Sequence, residues 1–199
     1  MSVQPRLLGV MTAGDEGVTV RLEAGPDGCS RLHLEGRLSP GWAGRLALGL
    51  SRAQVAILRG YACRANREGW SAYFDLRGLE GAPNLRTIDY RGLALHGEPG
   101  AVPLAIALEK YTLVPMIGGG VQLWVYGRDR LGFLGSLLER LAGLLLFPEE
   151  MHIETRGRVV EDRFHLRAAA GRPVSPESLR SLETLLRLWV RPTVERRIA

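Results

Sequence analysis

Residues 127–134, GRDRLGFL, set one carboxylate and two guanidinium groups around two glycines, between an apolar run and a leucine-rich stretch. A glycine at a helix start lets the backbone come close to a ligand. The first turn of a helix leaves N–H groups without intrahelical acceptors, and these can receive a carboxylate or a phosphate. Asp129 supplies the opposite charge, suited to an ammonium. Together the two features fit an α-amino acid. The alternative is that Gly132 only turns a strand into a helix. Neither GxGxxG nor GxxxxGK[ST] fits the segment, so it is not a dinucleotide fingerprint or a P-loop.

Other chemistry has less support. Ser136 and Ser175 have no evident His and Asp partners, and the carboxylates form no isolated pair, so no catalytic residue is assigned and the chain is not read as an enzyme. His152 and His165 fall on neighbouring strands of one sheet face. No HxH or HExxH spacing accompanies them, and neither a metal nor a cofactor is expected. Cys29 and Cys63 form no metal-type spacing and no disulfide framework, and a reducing, cytoplasmic setting follows. The net charge of +5 permits nucleic-acid binding. Lys110 is the single lysine, however, and the arginines are scattered among Glu and Asp without a block of like charge. No run of about eighteen apolar residues predicts a membrane span. The opening MSVQPRLLGVMTAGDEG lacks the pattern of a secretory signal.

The elements that must position the GRDRLGFL segment occur twice. Setting Gly36 on Gly127 (127 − 36 = 91) brings Arg37 onto Arg128, Gly41 onto Gly132, Gly44 onto Gly135 and Leu46 onto Leu137. Leu32 and Leu34 then meet Leu123 and Val125. A shift of 90 (164 − 74) pairs Phe74 with Phe164, Leu76 with Leu166 and Arg77 with Arg167. Such self-similarity predicts a duplicated unit.

In the second unit, residues 121–127 read as a strand and 132–145 as a helix that buries Leu134, Leu137, Leu138, Leu141 and Leu145. MHIETR and VVEDRFHLR form a hairpin around Gly157 and Arg158. Ser175 caps a second helix with Pro176 at its first position, and Pro192 ends it. TVERRI is an edge strand. The order is β-α-β-β-α-β, the ferredoxin-like split unit. The first unit spans residues 30–117. Its strand is 30–36, its helix 41–53 and its hairpin 61–77, followed by a short helix after Pro83 and a last strand at 110–117 that Pro115 confines to an edge. Gly118, Gly119 and Gly120 read as a flexible joint to the second unit, 118–199. Residues 1–29 read as an N-terminal extension, a hairpin of LLGVMT and VTVRLEA.

Alternation points Leu123, Val125, Ile153, Val160, Phe164 and Leu166 at the helices. Trp124, Tyr126, His152, Glu154, Arg163 and His165 take the other face. Two aromatics on a polar face predict a covered or ligand-contacting surface, or packing against the N-terminal hairpin.

The runs LWVYGRDRLGFLGSLLERLAGLLL, MHIETRGRVVEDRFHLR and SLRSLETLLR resemble the ACT regulatory domain. The D-R-x-G-[FL]-L junction carries the resemblance. So does the segment with Ile153, Thr155, Gly157, Asp162 (Glu161 one before it) and Phe164. The paired ACT domains at the C-terminus of the nitrogen-signalling uridylyltransferases, and stand-alone tandem ACT proteins, are particularly similar. The resemblance covers residues 121–190 well and 30–77 weakly. It implies an α+β protein of two ferredoxin-like βαββαβ (ACT-like) units with an N-terminal extension. It also implies a non-catalytic regulatory role, because ACT domains bind small effectors, most often amino acids, between paired domains. Carried over by position, the ligand loop is Asp129, Arg130, Leu131, Gly132, Phe133 and Leu134. The first unit departs from this pattern: Leu38 and Ser39 replace Asp129 and Arg130, and Trp42 replaces Phe133. The expected partners are a small-molecule effector, a regulated protein, and a second ACT-like unit of the same chain or of a homodimer, since edge strands invite pairing. Two alternatives remain, an assembly module without a ligand and a nucleic-acid-binding sheet. The second lacks the RRM aromatic motif and would place Glu154 and Glu161 on its binding face.

Overall fold

Strict alternation along VQLWVYGR buries Val121, Leu123, Val125 and Gly127 on one side and leaves Gln122, Trp124 and Tyr126 half-buried on the other. The same two-residue period builds a sheet with one dry face. The computed structural model describes residues 17–65, 69–97 and 105–190. Its strands are β1 (Val18–Ala24), β2 (Ser30–Gly36), β3 (Val55–Arg64), β4 (Trp70–Gly78), β5 (Leu108–Pro115), β6 (Val121–Arg128), β7 (Leu146–Arg156) and β8 (Val159–Ala168). Its helices are α1 (Trp42–Arg52), α2 (Tyr90–His96), α3 (Phe133–Gly143) and α4 (Pro176–Trp189).

The strands form one antiparallel sheet in the order β1-β2-β4-β3-β7-β8-β6-β5. Counted outward from the centre, β3-β4-β2-β1 on one side mirrors β7-β8-β6-β5 on the other. The halves meet where β3 pairs with β7, from Arg59↔Glu154 through Gly60↔Ile153 to Cys63↔Glu150. Gly60 is needed there, because a Cβ would run into the Phe74 ring. Leu32, Leu34, Phe74 and Leu76 from one half, and Leu123, Val125, Phe164 and Leu166 from the other, join a single apolar core under the helices. α1 and α3 pack side by side on that face.

The fold is α+β, and several local expectations change. The strand expected to close the first unit, at 110–117, is β5, and it pairs with β6 instead. A tight turn dictates this: Met116 N–H donates to the Gly120 carbonyl at 2.8 Å, and Gly118 and Gly119 have φ of 88° and 83°. The three glycines are therefore the turn of a hairpin rather than a flexible joint. Gly119 packs on Pro173, and its carbonyl accepts from Val174 N–H. VTVRLEA is no appendage either. As β1 it lines up along β2 from Val18↔Gly36 to Ala24↔Ser30 and closes the far edge of the sheet. Each half thus runs β-β-α-β-β-α among the described residues. The other arm of the expected N-terminal hairpin, 7–12, and the expected edge strand 193–198 lie outside them. Leu145 does not extend the buried face of α3. The helix ends at Gly143, and Leu145, at φ 56°, is 62% exposed. Ser175 does cap α4, its hydroxyl accepting from Ser178 N–H, with Pro176 at the first position.

α1 and α3 are in tight contact at a glycine. A Cβ on Gly135 would lie 2.7 Å from Leu48 Cγ and 2.9 Å from its backbone nitrogen, whereas a Cβ on Gly44 would meet Leu138 Cβ at 3.4 Å, an ordinary contact. Gly135→Ala is therefore expected to destabilise the protein by about 1–3 kcal/mol through overpacking, outweighing the helix-propensity gain. Gly44→Ala should be neutral or stabilising by up to about 1 kcal/mol. Urea unfolding of both variants checks this, and equal stability would refute the asymmetric crossing.

Candidate functional site

Gly132 is the N-cap of α3 and has φ 87°, and Gly41 precedes α1 with φ 81°. A side chain at either position would strain the backbone, so each glycine has a structural reason of its own. The chemistry falls to the groups around the corner.

All six expected residues, 129–134, line one cavity of about 280 Å³. The facing wall comes from the other half: Ala47 and Ser51 on α1, residues 55–58 at the start of β3, and Arg77 on β4. Asp129 is half-buried. Its N–H donates to the Arg158 carbonyl at 2.8 Å, and burial pushes its carboxyl above the usual range. Arg130 is exposed, and its carbonyl accepts from Phe133 N–H at 2.9 Å. The Phe133 amide is therefore occupied, and the N–H groups of Leu134 and Gly135 are the first-turn donors left without an intrahelical acceptor. Leu131 and Gly132 are half-buried, while Phe133 and Leu134 belong to the core.

The cavity also holds a residue that the expected set leaves out. Asp162, on β8, lines the same space at 1% exposure. Its Oδ1 accepts from Glu154 N–H at 3.2 Å, and its Oδ2 has no partner. Burial pushes the carboxyl up to about 8; the Glu154 hydrogen bond opposes the shift and the nearby Asp129 adds to it. A sequence signal existed. In Val160-Glu161-Asp162-Arg163-Phe164 the inward register runs Val, Asp, Phe, so alternation alone puts a carboxylate on the apolar face. Besides the two aspartates, the charged residues lining the cavity among the described residues are Arg77, which donates to Cys29 Sγ at 3.6 Å, and Arg130.

The matching corner of the first half differs. Leu38 stands in the place of Asp129. Ala72, opposite Leu34, takes the place of Asp162, opposite Val125. Trp42 and Trp70 fill the space with ring centroids 5.4 Å apart, and a cavity of about 60 Å³ is left. Ser39 Oγ accepts from Arg45 at 2.7 Å, and Arg45 also donates to the carbonyls of Pro40 and Ala94.

His152 pairs with Glu150 at 3.0 Å, and no group of three or more His, Cys, Asp or Glu among the described residues is placed to hold a metal. Trp124 lines a shallow hollow on the open sheet face with Tyr73, His152 and Arg163, and Tyr126 lies under Lys110 Nζ at 4.2 Å. β1 sits beside β2, far from both aromatics in the strand order, and does not cover them. Among the described residues no helix is long and apolar enough to cross a membrane.

The sequence matches no family model and no curated protein. Among solved structures, the chain is similar to an aspartate kinase from Synechocystis, at 16% identity over 81% of this chain and 27% of that one, with a TM-score of 0.44. It spans about a quarter of the kinase's length. A STAR-related lipid transfer protein fragment from Xanthomonas axonopodis is 12% identical over 89% and 90% of the two chains, with a TM-score of 0.16. Neither likeness is close enough to assign a ligand.

Asp162 keeps its proton in the folded state at pH values where the unfolded chain has released it. Its stabilising contribution is therefore full below about pH 4 and is lost as pH rises through about 8. Asp162→Asn cannot ionise. Relative to the parent, its stability should rise between about pH 5 and about pH 8.5 by a few kcal/mol. Chemical denaturation of both proteins at the two pH values checks this, and a difference independent of pH would contradict it.

Proposed function

We propose that the protein is a non-catalytic regulatory protein of ACT type, binding a small effector, an amino acid, at the Gly132 corner and passing that state to a protein partner. One observation carries this reading: the corner forms one wall of a cavity whose other wall belongs to the other half of the chain, with Asp129 at its edge. The effector ammonium is assigned to Asp129. Its carboxylate is assigned to the Leu134 and Gly135 amides at the start of α3, where the helix dipole favours negative charge. Arg130 on the same wall and Arg77 on the facing one add positive charge.

A volume of about 280 Å³ lies just below the usual range of ligand sites and is enough for a single amino acid. Among the described residues that line the cavity there is no histidine or cysteine; the hydroxyls are those of Ser51 and Thr155, and Ser51 donates to the Leu48 carbonyl at 2.9 Å. Because the walls come from both halves, a ligand that prefers the closed cavity shifts the equilibrium between packings of α1 against α3. That shift is the signal a partner would read.

A thermal-shift screen of the standard L-amino acids tests the proposal, since a ligand at one hundred times its Kd adds about 2.7 kcal/mol of stability. For the amino acid that binds, Asp129→Asn should weaken affinity by about 1.5–3 kcal/mol, the value of one charge-assisted hydrogen bond. Ser39→Ala should leave affinity unchanged, because its hydroxyl serves Arg45 in the closed corner. The proposal fails if no amino acid raises the melting temperature, or if Ser39→Ala costs as much affinity as Asp129→Asn.

A further inference from the structure

Among the described residues, none supplies a partner for Asp162 Oδ2. One of its oxygens takes a single backbone N–H and the other takes none, at 1% exposure. A buried carboxylate held for structure is normally paired or fully hydrogen-bonded. Packing alone does not require one here either, since Ala72 occupies the corresponding position in the first half. The groups that reach the cavity are few. Asp129 and Arg130 come from the corner after β6, Arg77 from the end of β4, the Ser51 and Thr155 hydroxyls from α1 and β7, and the Glu154 N–H from β7; Ser51 is already bonded to the Leu48 carbonyl. The nearest histidines by register, His152 and His165, point to the opposite sheet face. Among the described residues, the space beside the unsatisfied oxygen therefore combines two carboxyl groups with no cation bonded to either.

We propose that Asp162 is the deep anchor of the effector site, holding the ligand's primary ammonium group between itself and Asp129. This rests on effector binding at the Gly132 corner and names the chemistry that selects the effector. An ammonium carries three donors and matches acceptors arriving from two directions, whereas a neutral hydroxyl or amide would leave one carboxylate charge uncompensated. Without ligand, Asp162 keeps its proton because burial disfavours the charge. When the ammonium enters, the carboxyl releases that proton to solvent and the ion pair forms. Protonated carboxyl plus ammonium gives carboxylate–ammonium plus one proton. The affinity for an ammonium ligand then rises with pH until Asp162 is ionised in the free protein as well. The first half, with Leu38 and Ala72 at the two positions, has neither charge and takes no such ligand.

The probes are the standard L-amino acids, their N-acetyl counterparts, and potassium and magnesium chloride, each titrated into the full chain. An amino acid that binds is expected to do so about tenfold more tightly per pH unit between about pH 6 and about pH 8. Calorimetry in buffers of different ionisation enthalpy should show up to one proton released, a readout on the unaltered protein that needs no variant. The N-acetyl counterpart should not bind. Asp162→Asn should lose the pH slope and weaken binding at least about tenfold near pH 8, while Asp129→Asn weakens binding but keeps the slope. An amino acid bound with pH-independent affinity and no proton release, or bound as tightly by Asp162→Asn, overturns the anchor while leaving the effector site in place. Equal binding of the N-acetyl counterpart, or the same Asp162-dependent stabilisation by either salt alone, overturns the ammonium assignment. If no amino acid binds at any pH, the effector site and the anchor fall together.

Discussion

The pairing of β3 with β7 is the contact on which the rest depends. Each strand would otherwise be an open edge of a four-stranded sheet, with a row of unsatisfied backbone groups. Joined from Arg59↔Glu154 to Cys63↔Glu150, they make one eight-stranded sheet and bring α1 against α3. The Gly135 contact with Leu48 shows how little room this leaves. The cavity at the Gly132 corner is a by-product of the same geometry. The corner closes one side, and α1 with the start of β3 closes the other.

The two corners share a backbone and differ in chemistry. Gly41 and Gly132 both adopt left-handed φ, Gln54 and Leu145 both turn out of the following helix with φ near 57°, and both corners face the opposite half. One corner has been filled by Trp42 and Trp70. The other has stayed open and gathered carboxylates. Filling a gap with aromatic rings adds dispersion and removes apolar surface from water, so the first corner serves stability. A carboxyl with an orphan oxygen in an apolar wall does the opposite. Local rules of stability tend to be broken where function lies, and Asp162 breaks them where Ala72 does not.

Much of the fold was legible in the sequence because the signals are local. The leucine period marks α3, Ser175 followed by Pro176 marks the start of α4, and strict alternation marks β6 and β8. Partner choice was not legible. Lys110 to Pro115 reads as a strand in any context, but nothing within it says whether it pairs backward or forward. The hydrogen bond from Met116 to Gly120 settles the matter, and three glycines suggest a hinge as readily as a turn. Leu145 fits the helical period, yet φ 56° takes it out of the helix. The corner 129–134 could be found from its glycine and carboxylate. Asp162 stands in the segment that carries the family resemblance, but its place in the cavity follows only from its inward register on β8. The far wall of the cavity needed the tertiary structure, because Ser51 and Arg77 carry no sign of facing residue 129.

The central claim is that a carboxyl sits neutral and unpaired at the bottom of a cavity shared by the two halves. A carbon-13 NMR titration of the Asp162 side-chain carboxyl in the ligand-free protein tests it most directly. The account predicts a midpoint near 8, far above the ordinary value of 3.8 for an aspartate. A midpoint close to that ordinary value would show that water or a protein cation already satisfies Asp162, and would contradict the account.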